Sequence, residues 1–437
     1  MMQVSTLHPS EEFQRVSYLR NLTAPHVESF NYACGPGLKS ICTQLEPLYI
    51  ELNSPNAHNW ASFQILSLNI SRPVVSDPDV LRPEFLPRHA RESSSTYKAE
   101  LLATLEIKNS SGESEIIQRK LGSIPIMVGS SRCHLNGLTP EQLVAKGEEE
   151  YELGGYFISN GVEKVVRMII VPRKNHSVAI KRDANSNRGA VYSQYSVAMR
   201  CARADQSTHT IHLHALTSGG VNIRFVIRRQ EFFLPLVFVL KALLPSHITD
   251  SQICDMIMGP NYDKDGLLQR AFAMLSDAAR LEDRLMSTEV DSDDTKPRMR
   301  PKRTEYLAFL GRQFRSVLDL PVAIVSDEEA GRILLRRYLL VHLSTSPNEE
   351  WNDVKDLCKA ELLCVLNRKL LALVHGEIQE DNPDSLMHQE LLLPGHLYLI
   401  YLKEKLEDYL KGLRVIAERD LNLPIKQNSS GKGSVKS

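Results

Sequence analysis

Residues 154–175 read GGYFISNGVEKVVRMIIVPRKN, and the order of residue types in this stretch governs how the surrounding chain is read. Tyr156 to Ile158 and Val165 to Val171 are rich in aromatic and β-branched residues, which suit a pleated, half-buried surface. Between them, Asn160-Gly161 is the dipeptide that accepts positive φ at both central positions of a two-residue turn. The stretch is therefore predicted to form a β-hairpin, led in by a glycine pair and leaving through a cationic segment. Lys164, Arg167, Arg173, Lys174, Lys181 and Arg182 fall within twenty residues. Cations in such a loop-rich segment neutralise phosphates and release counterions without reading bases. These six are the candidate nucleic-acid-binding residues, with Arg167 and Arg173 first among them; the competing reading is a solvated charged surface.

Upstream, PHVESFNYACGPGLKSICTQL carries helical spacing that sets Val27, Phe30 and Tyr32 on one side, and predicts one or two helices broken at Gly35-Pro36-Gly37. From Trp60 onward FQILSLNI, TYKAELLATLEI and SEIIQRKLGSIPIMV alternate, predicting antiparallel strands with a hairpin through Asn109-Ser110-Ser111-Gly112. TPEQLVAKGEEEY, from Thr139 to Tyr151, starts with a capping residue, and its acidic run is read as a solvated helix end.

Downstream, RKNHSVAIKRDANSNRGAVYSQYSVAMRCAR is polar, cationic and turn-rich, which marks a domain crossing near residue 180. THTIHLHAL and VNIRFVIRR flank Ser218-Gly219-Gly220 as a second predicted hairpin, and EFFLPLVFVLKALL passes from strand to buried helix. Residues 250 to 345 are helical in pattern with a surface loop at STEVDSDDTKPRMRPKRTEY. Asp353–Val374 and Leu397–Arg419 read as long amphipathic helices, the second with Leu402, Leu406, Leu410 and Leu413 on one side and a Glu407–Lys411 pair on the other.

The chain has 437 residues, 42% hydrophobic and 24% charged, which predicts two or three soluble domains. Fifty-two basic against 53 acidic residues leave a net charge of −1, so any polyanion must be met by local clustering and not by a global field. Seven cysteines without a CxxC pair argue for a reducing compartment and against a zinc ribbon. The N-terminal residues carry no signal-peptide core, and no run of about 18 apolar residues predicts a membrane span.

Five blocks occur in order: LGSIPIMVGSSRCHL, ELGGYFISNGVEKVVRMIIVPRKN, FFLPLVFVLKALL, EYLAFLGRQF and LNRKLLALVHGEIQEDNPDSLMHQELLLPGHLYLIYLKEKL. Together they resemble the second-largest subunit of multisubunit DNA-directed RNA polymerases, from about residue 22 to residue 419. MIIVPRKN and RHARESSSTYKAEL look like the RNA polymerase I form, that of the enzyme making ribosomal RNA precursor. The resemblance implies a mixed α+β fold: a protrusion domain of antiparallel sheet plus helices (residues 1–178 and 355–420), an inserted α/β lobe domain (179–354) and a disordered tail (421–437). It implies a position beside the nucleic-acid cleft, near DNA and the DNA–RNA hybrid, in the nucleus and nucleolus. The implied partners are the largest polymerase subunit and, on the lobe, a zinc-ribbon subunit and a heterodimer akin to an initiation factor; no membrane is implied. In this family the metal-binding aspartates of the two-metal reaction lie chiefly on the largest subunit. No catalytic residue and no cofactor is therefore expected in this chain, Mg²⁺ belonging to the assembled enzyme, and the chain alone is expected to be inactive. The family's chain continues for several hundred residues where this one ends in NSSGKGSVKS, so a truncated product, a short isoform or an incomplete gene model is expected. The alternative is a non-catalytic short isoform that competes for polymerase subunits.

Other constellations carry less. Glu380, Asp381 and Asp384 are read as a solvated loop and not as a metal site. His212 and His214 would share one face of a strand, and without a third ligand they are read as an exposed polar face. Pro297–Arg303 (PRMRPKR) resembles a basic localisation signal in composition, with a solvated loop the simpler reading. Phe232, Phe233, Leu236, Phe238 and Leu240 could line a partner groove but are read as core, where each contributes about 1.5–3 kcal/mol on burial.

Overall fold

Residues 9–54, 57–75, 84–109, 112–259, 266–287, 301–320, 325–344, 346–347, 349 and 351–422 are described by a computed structural model of the chain. In chain order, α1 (Pro9–Tyr32) and α2 (Leu38–Gln44) precede β1 (Leu48–Ser54) and β2 (Ala57–Ile70), then α3 (Pro87–Glu92), β3 (Lys98–Asn109), β4 (Ser114–Pro125) and α4 (Pro140–Ala145). Three short strands follow, β5 (Phe157–Ser159), β6 (Val162–Lys164) and β7 (Ile169–Pro172). Next come β8 (Ser177–Lys181), β9 (Tyr192–Ala202), β10 (Thr208–Leu216), β11 (Val221–Ile227) and β12 (Gln230–Pro235). Helices complete the fold: α5 (Leu236–Leu243), α6 (Asp250–Met258), α7 (Leu267–Ser287), α8 (Arg303–Leu318), α9 (Asp327–Tyr338) and α10 (Asp353–Val374), then β13 (Gln389–Leu392) and α11 (Pro394–Asn422).

Two sheets organise the chain, one ordered β1-β2-β3-β4 and the other β12-β11-β10-β9-β8. The alternating runs upstream of residue 125 are antiparallel partners as expected, Lys108 facing Ser114 across the first hairpin. Ala215 faces Val221 across the second. Each sheet covers its own apolar core. The first core joins residues between Phe30 and Ile158 to Leu399, Leu402, Leu406 and Leu410 of α11. The second gathers buried residues from Ala179 to Leu373, including Leu236, Phe238 and Leu240, with Phe232 packed against it. Helix α10 contributes Ala360, Leu363 and Leu370 to this second core.

Phe30 shows how the first core is tied together. Its ring lies 5.4 Å from that of Phe157 and 5.1 Å from that of Tyr398, both edge-on, so α1, β5 and α11 meet on one side chain. The approach is close because Gly395 has no side chain; a Cβ there would stand 1.9 Å from the Ser29 carbonyl oxygen. The break expected at Gly35-Pro36-Gly37 does not occur. A π-helical turn, Ala33–Gly37, carries the helix from α1 into α2, with Ala33, Cys34 and Gly37 buried. The widened turn accommodates the proline's missing N–H, and packing holds the segment helical where local propensity would release it.

The opening stretch is also corrected in part. Asn160 and Gly161 have φ of 52° and 76°, and the turn joins β5 to β6 with Ser159 facing Val162. The second strand stops at Lys164, however. Ile169–Pro172 form a separate strand whose partner is β13, more than two hundred residues later in sequence. The leading glycines are a matter of close approach: a Cβ on Gly154, at φ 70°, would lie 2.7 Å from the Val128 carbonyl oxygen. The acidic run is not all solvated, because α4 ends at Ala145 and Glu148 turns inward. It accepts a hydrogen bond from the Arg88 N–H at 2.8 Å and pairs with Arg91, which also reaches Glu163 at 3.0 Å and so fastens the hairpin to α3.

Three further expectations change with packing. His212 and His214 do share a face of β10, their rings 5.8 Å apart, but His214 is fully buried beside Tyr192 and Phe233. Burial pushes their pKa values down to about 3 and about 4, with Arg224 adding to the effect, so both are neutral. Asp381 is no free loop carboxylate, since it pairs with Lys369 at 2.7 Å and accepts the Ala179 N–H at 2.8 Å. In α11, Lys411 stands 3.7 Å from Asp408, and the Glu407 pair does not form. Of the basic run, residues 297–300 lie outside the described residues, as does the tail from 423; Arg303 instead pairs with Asp353 at 2.7 Å and with Asp356. No helix among the described residues is long and apolar enough to cross a membrane.

The two cores meet through charge. Lys403 of α11 reaches Asp205, in the β9–β10 turn, at 2.5 Å, with Asp205 fully buried. Glu46, after α2, takes Arg336 at 2.6 and 2.8 Å and Arg337 at 3.0 Å, both near the end of α9. Burial works to raise the Asp205 and Glu46 carboxyls, but Lys403 on the first and Arg337 and Arg336 on the second hold both below the ordinary range.

Asp205→Ala is expected to destabilise the fold by about 3–5 kcal/mol, because Lys403 is left buried without a counter-charge; Lys405→Ala, on the exposed side of α11, should fall within about 0.5 kcal/mol. Denaturant titration distinguishes the two, and equal effects would sink the ionic account. A second outcome concerns pH. The unfolded chain takes up protons near pH 6.5 that folded His212 and His214 refuse, so stability falls as pH drops from about 6.5 to 5, by about 1.4 kcal/mol per pH unit for each such histidine. His214→Phe should flatten the slope of thermal midpoint against pH.

Candidate nucleic-acid interface

Lys164, Arg167, Arg173, Lys174, Lys181 and Arg182 are all exposed, and among the described residues none of them forms an ion pair. Lys181 alone has a ring contact, its Nζ 5.8 Å from the centre of Tyr195. Six charges held open in this way are free to meet an external anion. They do not form one tight cluster. Lys164 ends β6 and Arg167 lies in the connection to β7. Arg173 and Lys174 follow β7, and Lys181 and Arg182 lie at the far end of β8, a five-residue strand about 16 Å long. The result is a track of cations along an extended chain.

The scaffold under this track is specific. Ile170 faces Leu391 and Ile169 faces Leu392 in the β7–β13 ribbon. The Arg173 N–H donates to the His388 carbonyl at 2.8 Å. Arg200 of β9 crosses beneath, donating to the Pro172 carbonyl at 3.1 Å and to Glu390 at 2.6 Å, so its charge is spent internally. Asn175, at φ 54°, accepts the Ala202 N–H at 2.9 Å and so docks the segment on β9. His176 stacks on His388 with Nε2 and Nδ1 3.1 Å apart. Ile169 and Ile170 are themselves 49% and 62% exposed, so the ribbon presents an apolar step between its cations.

Two neighbouring imidazoles are shifted mainly by burial. His176 is held below the ordinary histidine range by burial first, then by His388, Lys369 and Arg173. His396 is lowered by burial and then by Lys174. In both, the nearby cation adds to the effect of burial in disfavouring a further positive charge.

Among the described residues no group of three or more His, Cys, Asp or Glu could hold a metal ion. The thiols of Cys34, Cys201 and Cys364 are buried and pushed up to about 12, which makes them inert. The sequence singled out the cations but not the side chains that hold their backbone, Arg200, Glu390, His176 and His388. Their partners lie 190 to 212 residues apart, and no local pattern marks such a pairing.

A model of the RNA polymerase beta subunit family matches residues 21–433. The chain is 38% identical over 423 residues to the "Probable DNA-directed RNA polymerase I subunit RPA2" of Schizosaccharomyces pombe, covering 94% of this chain and 33% of that protein. It is 34% identical to the DNA-directed RNA polymerase I subunit RPA135 of Saccharomyces cerevisiae (98% of this chain, 35% of that one). Against the human DNA-directed RNA polymerase I subunit RPA2 identity is 36% (93% and 33%). The chain thus spans about a third of the length of the curated relatives it matches.

Arg167→Ala and Arg173→Ala are each expected to lower the slope of log affinity against log salt for duplex DNA by about 0.9 and to weaken binding several-fold near 100 mM salt. The thermal midpoint should not move, since neither side chain is spent in an ion pair. Fluorescence anisotropy across a salt series checks both, and an unchanged slope would remove these residues from the interface.

Proposed function

The chain belongs to the RNA polymerase beta subunit family, and from that premise we propose that it is part of the second-largest subunit of RNA polymerase I, acting in synthesis of ribosomal RNA precursor on a DNA template. The observation that carries the reading is the match to polymerase I subunits over 93–98% of the chain. In this reading residues 1–178 and 355–420 form the protrusion and 179–354 the lobe, with α10 at the start of the returning segment packed on the lobe's core. The exposed cations from Lys164 to Arg182 then flank the cleft, meeting the phosphates of DNA and of the DNA–RNA hybrid. The sequence-independent character of such contacts suits a processive enzyme that must hold any template.

Chemistry falls to other parts of the assembled enzyme. Two Mg²⁺ ions held by the largest subunit would activate the attacking 3′ oxygen and stabilise the leaving phosphate, while this chain positions nucleic acid and docks subunits. Its partners are the largest subunit and, on the lobe, a zinc-ribbon subunit and an initiation-factor-like heterodimer, and its place is the nucleolus. The competing reading, a short binding protein that acts apart from the polymerase, is not favoured by relatives that are themselves polymerase subunits.

Affinity purification of the tagged endogenous chain is expected to recover the largest polymerase I subunit in near-equal amount. Recovery of polymerase II or III subunits in its place would overturn the assignment. Purified alone with primed template, nucleotides and Mg²⁺, the chain should extend no primer; robust extension would refute the division of labour.

A further inference from the structure

The β11–β12 hairpin closes through two residues, because Ile227 pairs with Gln230. Those residues are Arg228 and Arg229, at φ 47° and 68°. A turn of this geometry selects Asn-Gly, as Asn160-Gly161 illustrates elsewhere in the chain, since a Cβ is disfavoured in the left-handed region. Among the described residues these two are the only adjacent non-glycine pair with positive φ. Packing does not account for the choice. Both are exposed, and the Arg228 side chain is 59% exposed. The carboxylate within 4 Å of Arg228 among the described residues is Asp319, at 3.7 Å, itself 62% exposed and shared with Arg414 at 3.4 Å. Arg229 forms no ion pair among the described residues.

We infer that the Arg228-Arg229 turn is a second phosphate-contacting element, separate from the 164–182 track, that takes the backbone of an extended nucleic acid; this rests on the polymerase reading above. Arg228 lines a cleft of about 570 Å³ between the two cores, together with Lys411, 71% exposed; Arg203 and Arg337 also line it but are committed to the Arg336 carbonyl and to Glu46. Glu404 and Glu407 on the α11 wall make the interior mixed in sign. The cleft is therefore no closed anion pocket, and the turn serves as a point of contact for a polyanion running past it. The turn itself is polar: Gln230 is exposed and Glu231 is committed to Arg188 and Arg224. Val226, 41% exposed beside Glu231, is the nearest exposed apolar side chain and is small, short of the large aromatic anchors on which protein partners concentrate affinity, whereas paired guanidiniums suit phosphate oxygens. Keeping arginines where Asn-Gly would relieve strain is the pattern of a site that trades stability for contact.

The test uses the full chain and two variants, Arg228→Asn with Arg229→Gly, and Arg228→Lys with Arg229→Lys. The Asn-Gly variant is expected to melt about 2–4 °C higher, which excludes misfolding as the cause of lost binding. It should bind duplex DNA about tenfold more weakly near 100 mM salt, with a salt slope smaller by about 1.8, while the Lys-Lys variant keeps the slope. If the wild-type chain binds no DNA, the nucleic-acid reading itself fails. If the wild type binds and the Asn-Gly variant matches it, this inference alone is overturned. Loss of binding to a poly-glutamate peptide with DNA binding unchanged would overturn it in favour of an acidic protein partner.

Discussion

The fold depends on a charged joint between two separately built cores. Lys403 and Asp205 are buried against each other, 9% and 0% exposed at their side chains, with Ser207 donating to Asp205 through both its N–H and its hydroxyl. Glu46 grips Arg336 and Arg337 at once. The carbonyls at the end of α9 are met by cations as well: Arg203 donates to the Arg336 carbonyl at 2.8 Å and Lys359 to that of Leu335 at 2.9 Å. Burial pushes the Lys359 pKa down to about 7 against the pull of Asp356, a measure of how dry this region is. Buried ion pairs contribute little net stability compared with apolar packing, but they tolerate few alternative arrangements. Here they tie α11 to the β9–β10 turn and the link after α2 to the end of α9.

Contacts between distant segments likewise hold the cationic track in place. The β7–β13 ribbon is assembled from a segment leaving the first core and one returning to it, and a two-stranded ribbon has little stability of its own. It is held because Arg200 reaches across from β9, His388 stacks on His176, and Lys369 ties Asp381 to the start of β8. Around the ribbon the internal cations Arg200 and Lys369 are spent on Glu390 and Asp381, and the exposed cations of residues 164–182 form no ion pair among the described residues. With a net charge near zero over the whole chain, it is this sorting, and not excess charge, that leaves six cations of residues 164–182 exposed and outside ion pairs among the described residues.

The second core illustrates the same sorting in a sheet. Ile211, Leu213 and Ala215 fill one face of β10, while His212 and His214 on the other are covered by Tyr192, Phe233 and the Arg188–Glu231–Arg224 cluster. The outer face is therefore covered around His212 and His214, while Thr208 and Thr210 farther along the same face stay exposed.

What the sequence determined by itself was local. Alternation gave the strands upstream of residue 125 and the β10–β11 hairpin, because the period of two is a property of the backbone. Asn160-Gly161 gave its turn because few other dipeptides accept that geometry, helical patterning gave α10, and leucine spacing gave α11. The open cations were legible too, since charge and exposure travel together in a turn-rich segment. Tertiary structure decided everything that needed a distant partner. It kept α1 and α2 helical through Gly35-Pro36-Gly37 by packing against α11, and ended the opening hairpin early so that Ile169–Pro172 could pair with Gln389–Leu392. It buried Glu148 and His214, and it sealed the joint with Lys403 and Glu46. The physical reason is one of range: propensity and periodicity act over a few residues, whereas burial, desolvation and ion pairing depend on which surfaces the folded chain brings together.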